Sequence, residues 1–192
     1  MDYAIAGIDR DIGRRVHALR TAAAMTLDGL AERAGVSRAM LSRIERGESS
    51  PTAQLLNRVC AGLGVTLSAL FASAEEPASP LSRRSGQSVW RDPGSGYVRR
   101  VISSPGGSRA EIVEVAFPAG ATVTFDSQRL ADTDQQVWIL DGRMELTVGE
   151  ALHRLGRGDC LTMRLDQPIR FHNPGKRAAR YVVVLTRTVV RP

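Results

Sequence analysis

The chain has 192 residues and a formal net charge of +6, which is enough length for one large or two small domains. It has no apolar run of about 18 residues, and residues 1–15 lack the apolar core of a signal peptide, so we expect no membrane association and no export. Cys60 and Cys160 lie in apolar surroundings in different halves, which favours buried thiols in a reducing cytoplasm over a disulfide framework.

The positive charge is not concentrated in one region. Residues 1–75 hold nine arginines against eight acidic residues, and residues 76–192 hold seventeen basic against twelve acidic residues. Net charge therefore does not identify a nucleic-acid-binding half. Any such function must rest on where individual arginines point.

Helical periodicity begins in the N-terminal third. Apolar residues at Ile12, Val16 and Leu19 predict a first helix over residues 12–23. The next stretch, TLDGLAERAGVSRAMLSRIER, predicts two short helices joined by a tight turn, because Gly35 suits the left-handed end of one helix and Ser37 suits the cap of the next.

The outer face of the third helix carries groups that read DNA. With its apolar residues turned inward, it presents Arg38, Ala39, Ser42 and Arg43. Guanidinium, hydroxyl and methyl groups recognise base edges and phosphates in a major groove. Two helices of any small bundle would share the apolar spacing, so the pattern alone leaves that alternative open.

Two further helices follow Gly47. Thr52 is placed to cap a fourth helix, whose first amides would form a seat for a DNA phosphate. Gly64 ends that helix, and Leu67, Leu70 and Phe71 predict a short fifth helix.

The segments LAERAGVS, MLSRIERGESSPT and LGVTLSALF resemble the Cro/repressor-type (XRE) helix-turn-helix family over residues 9–71. This resemblance implies a DNA-binding domain over residues 9–72 and a structural ion pair between Arg20 and Glu45. Many members carry a DNA-contacting glutamine where this chain has Leu27, so that contact is not carried over. The expected DNA-contacting residues are Ser37, Arg38, Ala39, Ser42, Arg43, Arg46, Ser50 and Thr52.

The second half of the chain has strand periodicity. Residues 73–96 lose all periodicity and gather Ser, Pro and Gly, which predicts a linker. From residue 97 the period changes to two, which predicts a closed barrel or sandwich able to hold one small ligand. The nine predicted strands are 97–103, 110–117, 121–125, 135–140, 143–148, 151–155, 159–164, 168–173 and 180–189.

The segments VWILDGRMEL, LGRGDCL and HNPG resemble a cupin barrel, which places a cupin domain at residues 97–192. Cupin enzymes hold a metal with three histidines and a glutamate. Here Gln135 occupies the place of the glutamate, Ile169 that of the last histidine, and the segment FDSQRLA has no histidine. His172 is expected on the opposite face of its strand. The resemblance therefore implies a barrel without metal or other cofactor.

The barrel interior predicts an effector site rather than a catalytic one. Alternation places Gln135, Val137, Ile169 and Phe171 inside, and Arg129 at the mouth is suited to pair with a carboxylate. Trp138 lies on the other face, where we expect it to pack against a partner barrel or a neighbouring sheet.

The sequence thus predicts a two-domain protein, with an N-terminal all-α helix-turn-helix domain of five helices and a C-terminal all-β cupin barrel. We expect a cytoplasmic, homodimeric, non-enzymatic regulator that binds double-stranded DNA and senses a small molecule. Two alternatives stay open: a cupin that serves only as a dimerisation scaffold, and a DNA-tethered cupin enzyme.

Overall fold

The computed structural model describes residues 3–71, 79–104, 110–127 and 133–187. The N-terminal part is helical: α1 Tyr3–Ala22, α2 Leu27–Ala34, α3 Arg38–Glu45, α4 Ala53–Leu63 and the single turn α5 Leu67–Leu70. It therefore has four full helices rather than the predicted five. The fifth segment ends at Leu70, where the N–H of Phe71 donates to the carbonyl of Ser68 (3.0 Å) in a tighter turn.

The turn between α2 and α3 forms as predicted. Gly35 has a φ of 60° and ends α2, with its N–H donating to the carbonyl of Glu32 (3.1 Å). The Ser37 hydroxyl accepts a hydrogen bond from the N–H of Met40 (3.2 Å) and caps α3. The Thr26 hydroxyl caps α2 in the same way, accepting from the N–H of Gly29 (3.0 Å).

Two glycines allow the helices to cross closely. A Cβ added at Gly13 of α1 would clash with the backbone of α3, lying 2.8 Å from the Glu45 carbonyl oxygen. One added at Gly62 of α4 would lie 2.9 Å from Cδ1 of Leu30 in α2. The clash at Gly13 is with backbone, so a larger residue there would force α1 and α3 apart. The contact at Gly62 is milder, because its nearest atom is the end of the Leu30 side chain.

The predicted ion pair between α1 and α3 is confirmed. Arg20 donates from Nε to Oε1 of Glu45 (2.6 Å) and from Nη2 to Oε2 (2.9 Å), and the Glu45 side chain is only 9% exposed. His17 Nδ1 lies 3.0 Å from the same Oε2. Burial raises the pKa of Glu45, but its bonds to Arg20 and His17 outweigh this and lower the pKa below 4.5.

Where the structure describes the C-terminal part, it forms ten antiparallel strands in two sheets. The six-stranded sheet has the order β1-β2-β3-β10-β5-β8 and the four-stranded sheet the order β4-β9-β6-β7. The strands are β1 Val89–Arg91, β2 Val98–Val101, β3 Ala110–Phe117, β4 Thr122–Phe125, β5 Thr133–Asp141, β6 Met144–Val148, β7 Ala151–Leu155, β8 Cys160–Arg164, β9 Ile169–His172 and β10 Ala179–Arg187.

Two details of the predicted barrel need correction. No backbone ladder joins the two sheets in the described residues, so the strands form a sandwich and not a closed barrel. The sheets meet through side chains, as in the stacked rings of Phe171 and Tyr181 (5.9 Å between centroids). One strand more than the nine predicted is present, because β1 lies inside the predicted 73–96 linker. Trp90 packs into the core there and holds this segment against β2.

The two cysteines differ in exposure. Cys60 in α4 is completely buried, as predicted, whereas Cys160 is exposed, contrary to the expectation of a buried thiol. Cys160 is exposed because it pairs with Trp138 across β5 and β8, and both side chains lie on the outer face of the sheet.

The helical part and the sheets share one continuous hydrophobic core. The ring of Phe71, just after α5, lies 5.4 Å from that of Trp90 in β1. The N–H of Ala53, the first residue of α4, donates to Oδ1 of the buried Asp92 (2.8 Å). The first amide of α4 is therefore already bonded to a carboxylate of the protein, which leaves only part of the predicted phosphate seat open.

Candidate DNA-binding face and ligand cavity

The third helix presents its polar side outward. Leu41 and Ile44 are completely buried against the other helices, while Arg38, Ala39 and Arg43 are exposed. The geometry is that of a helix held by its apolar side with a cationic side free to enter a groove of DNA.

The two arginines of this face are available to a new partner. Arg38 pairs with Asp28 at 3.0 Å, but both side chains are exposed, by 67% and 72%. Such an exposed pair stabilises a protein by about 0–1 kcal/mol, so a phosphate or base can replace Asp28 at little cost. Arg43 makes no ion pair with any residue that the structure describes.

Arg46 and Ser42 are held by the protein itself. Arg46 donates to both carboxylate oxygens of Glu48 (2.7 Å each) and to the hydroxyl of Ser42. Its hydrogen bonds lower the pKa of Glu48, which keeps that carboxylate charged. Arg46 must release Glu48 before its guanidinium contacts DNA, whereas the Ser42 hydroxyl accepts from Arg46 and keeps its own O–H to donate.

The hydroxyls before α4 are also engaged. Ser50 donates to Asp9, and the Thr52 hydroxyl accepts from the N–H of Leu55 (3.3 Å) as the cap of α4. Ser50 and Thr52 both remain exposed at the protein surface.

A cavity of about 70 Å³ lies where the helical part meets the two sheets. On the same scale a single ordered water needs about 10–15 Å³, so the cavity has room for a small molecule. Asn57, Thr66 and Leu67 line it from the helical part. Its other walls come from the sheets and are mostly apolar and aromatic, including Val115, Phe117, Phe125, Ile169, Phe171 and Tyr181.

Comparison with known proteins agrees with this geometry. A family profile described as a helix-turn-helix domain matches residues 11–71, and one described as a cupin domain matches residues 113–185. The HTH-type transcriptional regulator SutR of Escherichia coli (strain K12) is 28% identical over 177 residues, which span 85% of this chain and 87% of that protein. The crystal structure of an HTH_3 family transcriptional regulator from Vibrio cholerae is 25% identical, with a TM-score of 0.79 over 96% of this chain and 99% of that one.

The chain is a helix-turn-helix transcriptional regulator with a cupin domain. Both parts of the sequence-based assignment to a family are thereby confirmed. Within the described residues of the regulator, no helix has the length and apolar character needed to cross a membrane.

The predicted effector residues of the regulator are distributed unevenly. Gln135, Ile169 and Phe171 line the cavity, whereas Val137 is completely buried in the core and is not part of the lining. Arg129, predicted to pair with a carboxylate at the mouth, lies outside the described residues.

The residues at the cupin metal positions do not fit a metal. Ile169 is apolar, and the Gln135 amide lies with Nε2 3.8 Å from the sulfur of Met163. His172 is bonded through Nδ1 to the Thr122 hydroxyl (2.9 Å), consistent with a structural histidine. Across the residues with described positions, no cluster of three His, Cys, Asp or Glu could hold an ion.

Sequence reasoning missed the most polar part of the cavity. Tyr97 and Arg99 of the β2 region are both buried and line it, together with Tyr181 of β10. Burial raises the pKa of Tyr97 and of Tyr181, so both hydroxyls stay protonated at neutral pH. The alternation of Tyr97 and Arg99 was a usable signal, because it places both side chains on one face of the strand.

Proposed function

We propose that the regulator binds a specific DNA sequence as a homodimer, with α3 of each protomer in a major groove, and that its cavity holds a small-molecule effector. Arg38, Ala39, Ser42 and Arg43 would contact bases or phosphates. Ser37, Arg46, Ser50 and Thr52 would lie along the DNA backbone. Phosphate contacts of this kind set the salt dependence of binding, and base contacts set its specificity.

The cavity supports the effector part of the proposal. Its walls come from both the helical part and the sheets, so a bound molecule would touch the DNA-binding part directly through Asn57, Thr66 and Leu67. A ligand shifts an arrangement only if it binds one state more tightly than the other. A site shared by two parts of the chain meets this condition whenever those parts move relative to each other.

Two exposed apolar side chains on the outer face of the larger sheet support the homodimer. Trp138 of β5 is 49% exposed and lies on the outer face, away from the cavity, and Val89 of β1 is also exposed. A large exposed apolar side chain is a common feature of a protein interface. Two protomers joined there would present their α3 helices to successive major grooves, ~34 Å apart.

We further propose that the regulator is cytoplasmic, has no metal and is not an enzyme. The replaced metal ligands at Gln135 and Ile169 support the proposal of a barrel without metal and without cupin catalysis. The absence of a metal-binding cluster from the described residues supports the same proposal. The scaffold alternative predicts an interior filled by side chains, which the cavity argues against. Elemental analysis of the purified protein separates the tethered-enzyme alternative, which requires a bound transition metal.

A thermal-shift screen of small acids, amines and neutral molecules tests the effector proposal. We expect at least one class to raise the melting temperature, since a ligand that binds only the folded state stabilises it by mass action. The matched control is Val183→Phe, which places a ring in the cavity and should remove the shift. If no compound stabilises the protein or alters DNA binding, the scaffold alternative replaces the sensor.

A further inference from the structure

A buried arginine lines the cavity without a carboxylate to balance its charge. Arg99 of β2 is only 8% exposed. Its Nη2 donates to the hydroxyl of Ser68 in α5, and its guanidinium carbon lies 5.5 Å from the ring centre of Phe71. Its Nε has no hydrogen-bond partner among the described residues, and none of their carboxylates forms an ion pair with it.

The groups around Arg99 do not fully compensate its positive charge, which favours binding of an anion. A guanidinium keeps its proton even when burial lowers its pKa, so Arg99 stays charged at neutral pH. The hydroxyls of Ser68 and Tyr97 and the ring of Phe71 compensate only part of the cost of taking this charge out of water. Glu111, which accepts a hydrogen bond from Thr66 (2.9 Å), attracts Arg99 only from beyond ion-pair distance.

The rest of the cavity wall indicates which kind of anion would fit beside Arg99. Rings and branched side chains make up most of the wall, while Gln135 and Thr66 add an amide and a hydroxyl. Asp126 also lines the cavity, and its exposed position puts this negative charge where solvent screens it. An inorganic anion would leave the apolar wall unused, whereas an organic acid would use both the wall and Arg99.

We propose that the effector is a small organic carboxylate with an apolar body, and that Arg99 is the residue that binds its carboxylate. This inference rests on the proposed effector function of the cavity. A carboxylate matches the paired N–H groups of a guanidinium in charge and in geometry. Because Arg99 is bonded to Ser68 and stacked on Phe71, a bound carboxylate competes directly with the contacts that hold α5 against the sheet.

Thermal-shift titration of the full-length protein tests the ligand class. The probes are benzoate and isovalerate, their uncharged amides benzamide and isovaleramide, and sodium sulfate at matched ionic strength. We expect the two carboxylates to raise the melting temperature. The amides and sulfate should need at least tenfold higher concentrations to produce the same rise. This comparison uses only the natural protein, so it holds whether or not a variant folds.

Variants of Arg99 test the anchor. Arg99→Gln should weaken carboxylate binding at least tenfold, and Arg99→Lys should retain part of it. The matched control is Arg100→Gln on the opposite face of β2, which should bind as the natural protein does. Equal carboxylate binding by Arg99→Gln and Arg100→Gln would overturn the assignment of Arg99.

The titration distinguishes failure of the proposed ligand class from failure of the effector function. Stabilisation by amines or neutral compounds, with none by carboxylates, would overturn the ligand class and leave the effector function standing. Stabilisation by sulfate equal to that by the carboxylates would overturn the organic acid. No stabilisation by any class would instead remove the effector function itself.

Discussion

Replacing Arg38 and Arg43 together by alanine should lower the affinity for a specific operator at least about 30-fold. A well-placed arginine–guanine contact discriminates by ~1–3 kcal/mol, and these are the two exposed cations of α3 itself. Binding to unrelated DNA should weaken much less, since phosphate contacts elsewhere remain. A gel-shift assay with the DNA upstream of the regulator's own gene and a scrambled duplex measures both affinities.

The control for this double variant removes the same charge elsewhere. Arg143 and Arg157 are exposed in turns of the sheets, and changing both to alanine should leave operator binding nearly unchanged. Circular dichroism checks that both double variants are folded. Unimpaired specific binding by the Arg38/Arg43 variant would remove α3 as the recognition helix.

Replacing Glu45 by alanine should destabilise the helical part by about 1–3 kcal/mol. The substitution leaves Arg20 as a nearly buried cation, only 14% exposed, without its partner. Urea unfolding followed by circular dichroism measures the loss. The control is Glu48→Ala, which removes another arginine-paired glutamate at the surface and should change stability little.

A paired substitution separates the charge effect from packing. Changing both Arg20 and Glu45 to methionine should recover much of the stability, because hydrophobic residues can replace a buried ion pair without leaving a charge unpaired. A single Glu45→Ala variant as stable as the natural protein would show that the pair contributes nothing to the fold.

The contribution of Glu45 should depend on pH. Because its pKa is lowered on folding, the pair stabilises the protein above the ordinary carboxyl pKa of 4.5. This stabilisation is lost as the pH falls through the lower pKa of the folded state. The stability gap between the natural protein and Glu45→Ala should therefore narrow from pH 7 to pH 3.

Local patterns predicted the helical part well because its decisive contacts are close in sequence. Thr26, Gly35 and Ser37 act within one turn of their own positions, so residue type alone indicates where α2 and α3 begin and end. The Arg20–Glu45 pair is different, since it spans 25 residues and was expected only from the resemblance to a family.

Contacts between segments that are distant in the chain are not predictable from local sequence patterns. Asp92 caps α4 from 39 residues away, and Arg99 reaches Ser68 from 31 residues away. Neither periodicity nor residue type shows which helix will lie against which strand. For the same reason a carboxylate-binding role was given to Arg129, near an expected barrel mouth, while Arg99 was overlooked.

The position of α3 on DNA can be measured directly with a cleaving group attached beside Arg38. In a Cys160→Ser background, Ala39→Cys would be labelled with an iron chelate, while Cys60 stays unlabelled because it is completely buried. We predict cleavage of the operator at two sites ~34 Å apart, facing the major groove. Binding without cleavage near the operator would contradict the insertion of α3 into DNA, and cleavage at a single site would contradict the dimer.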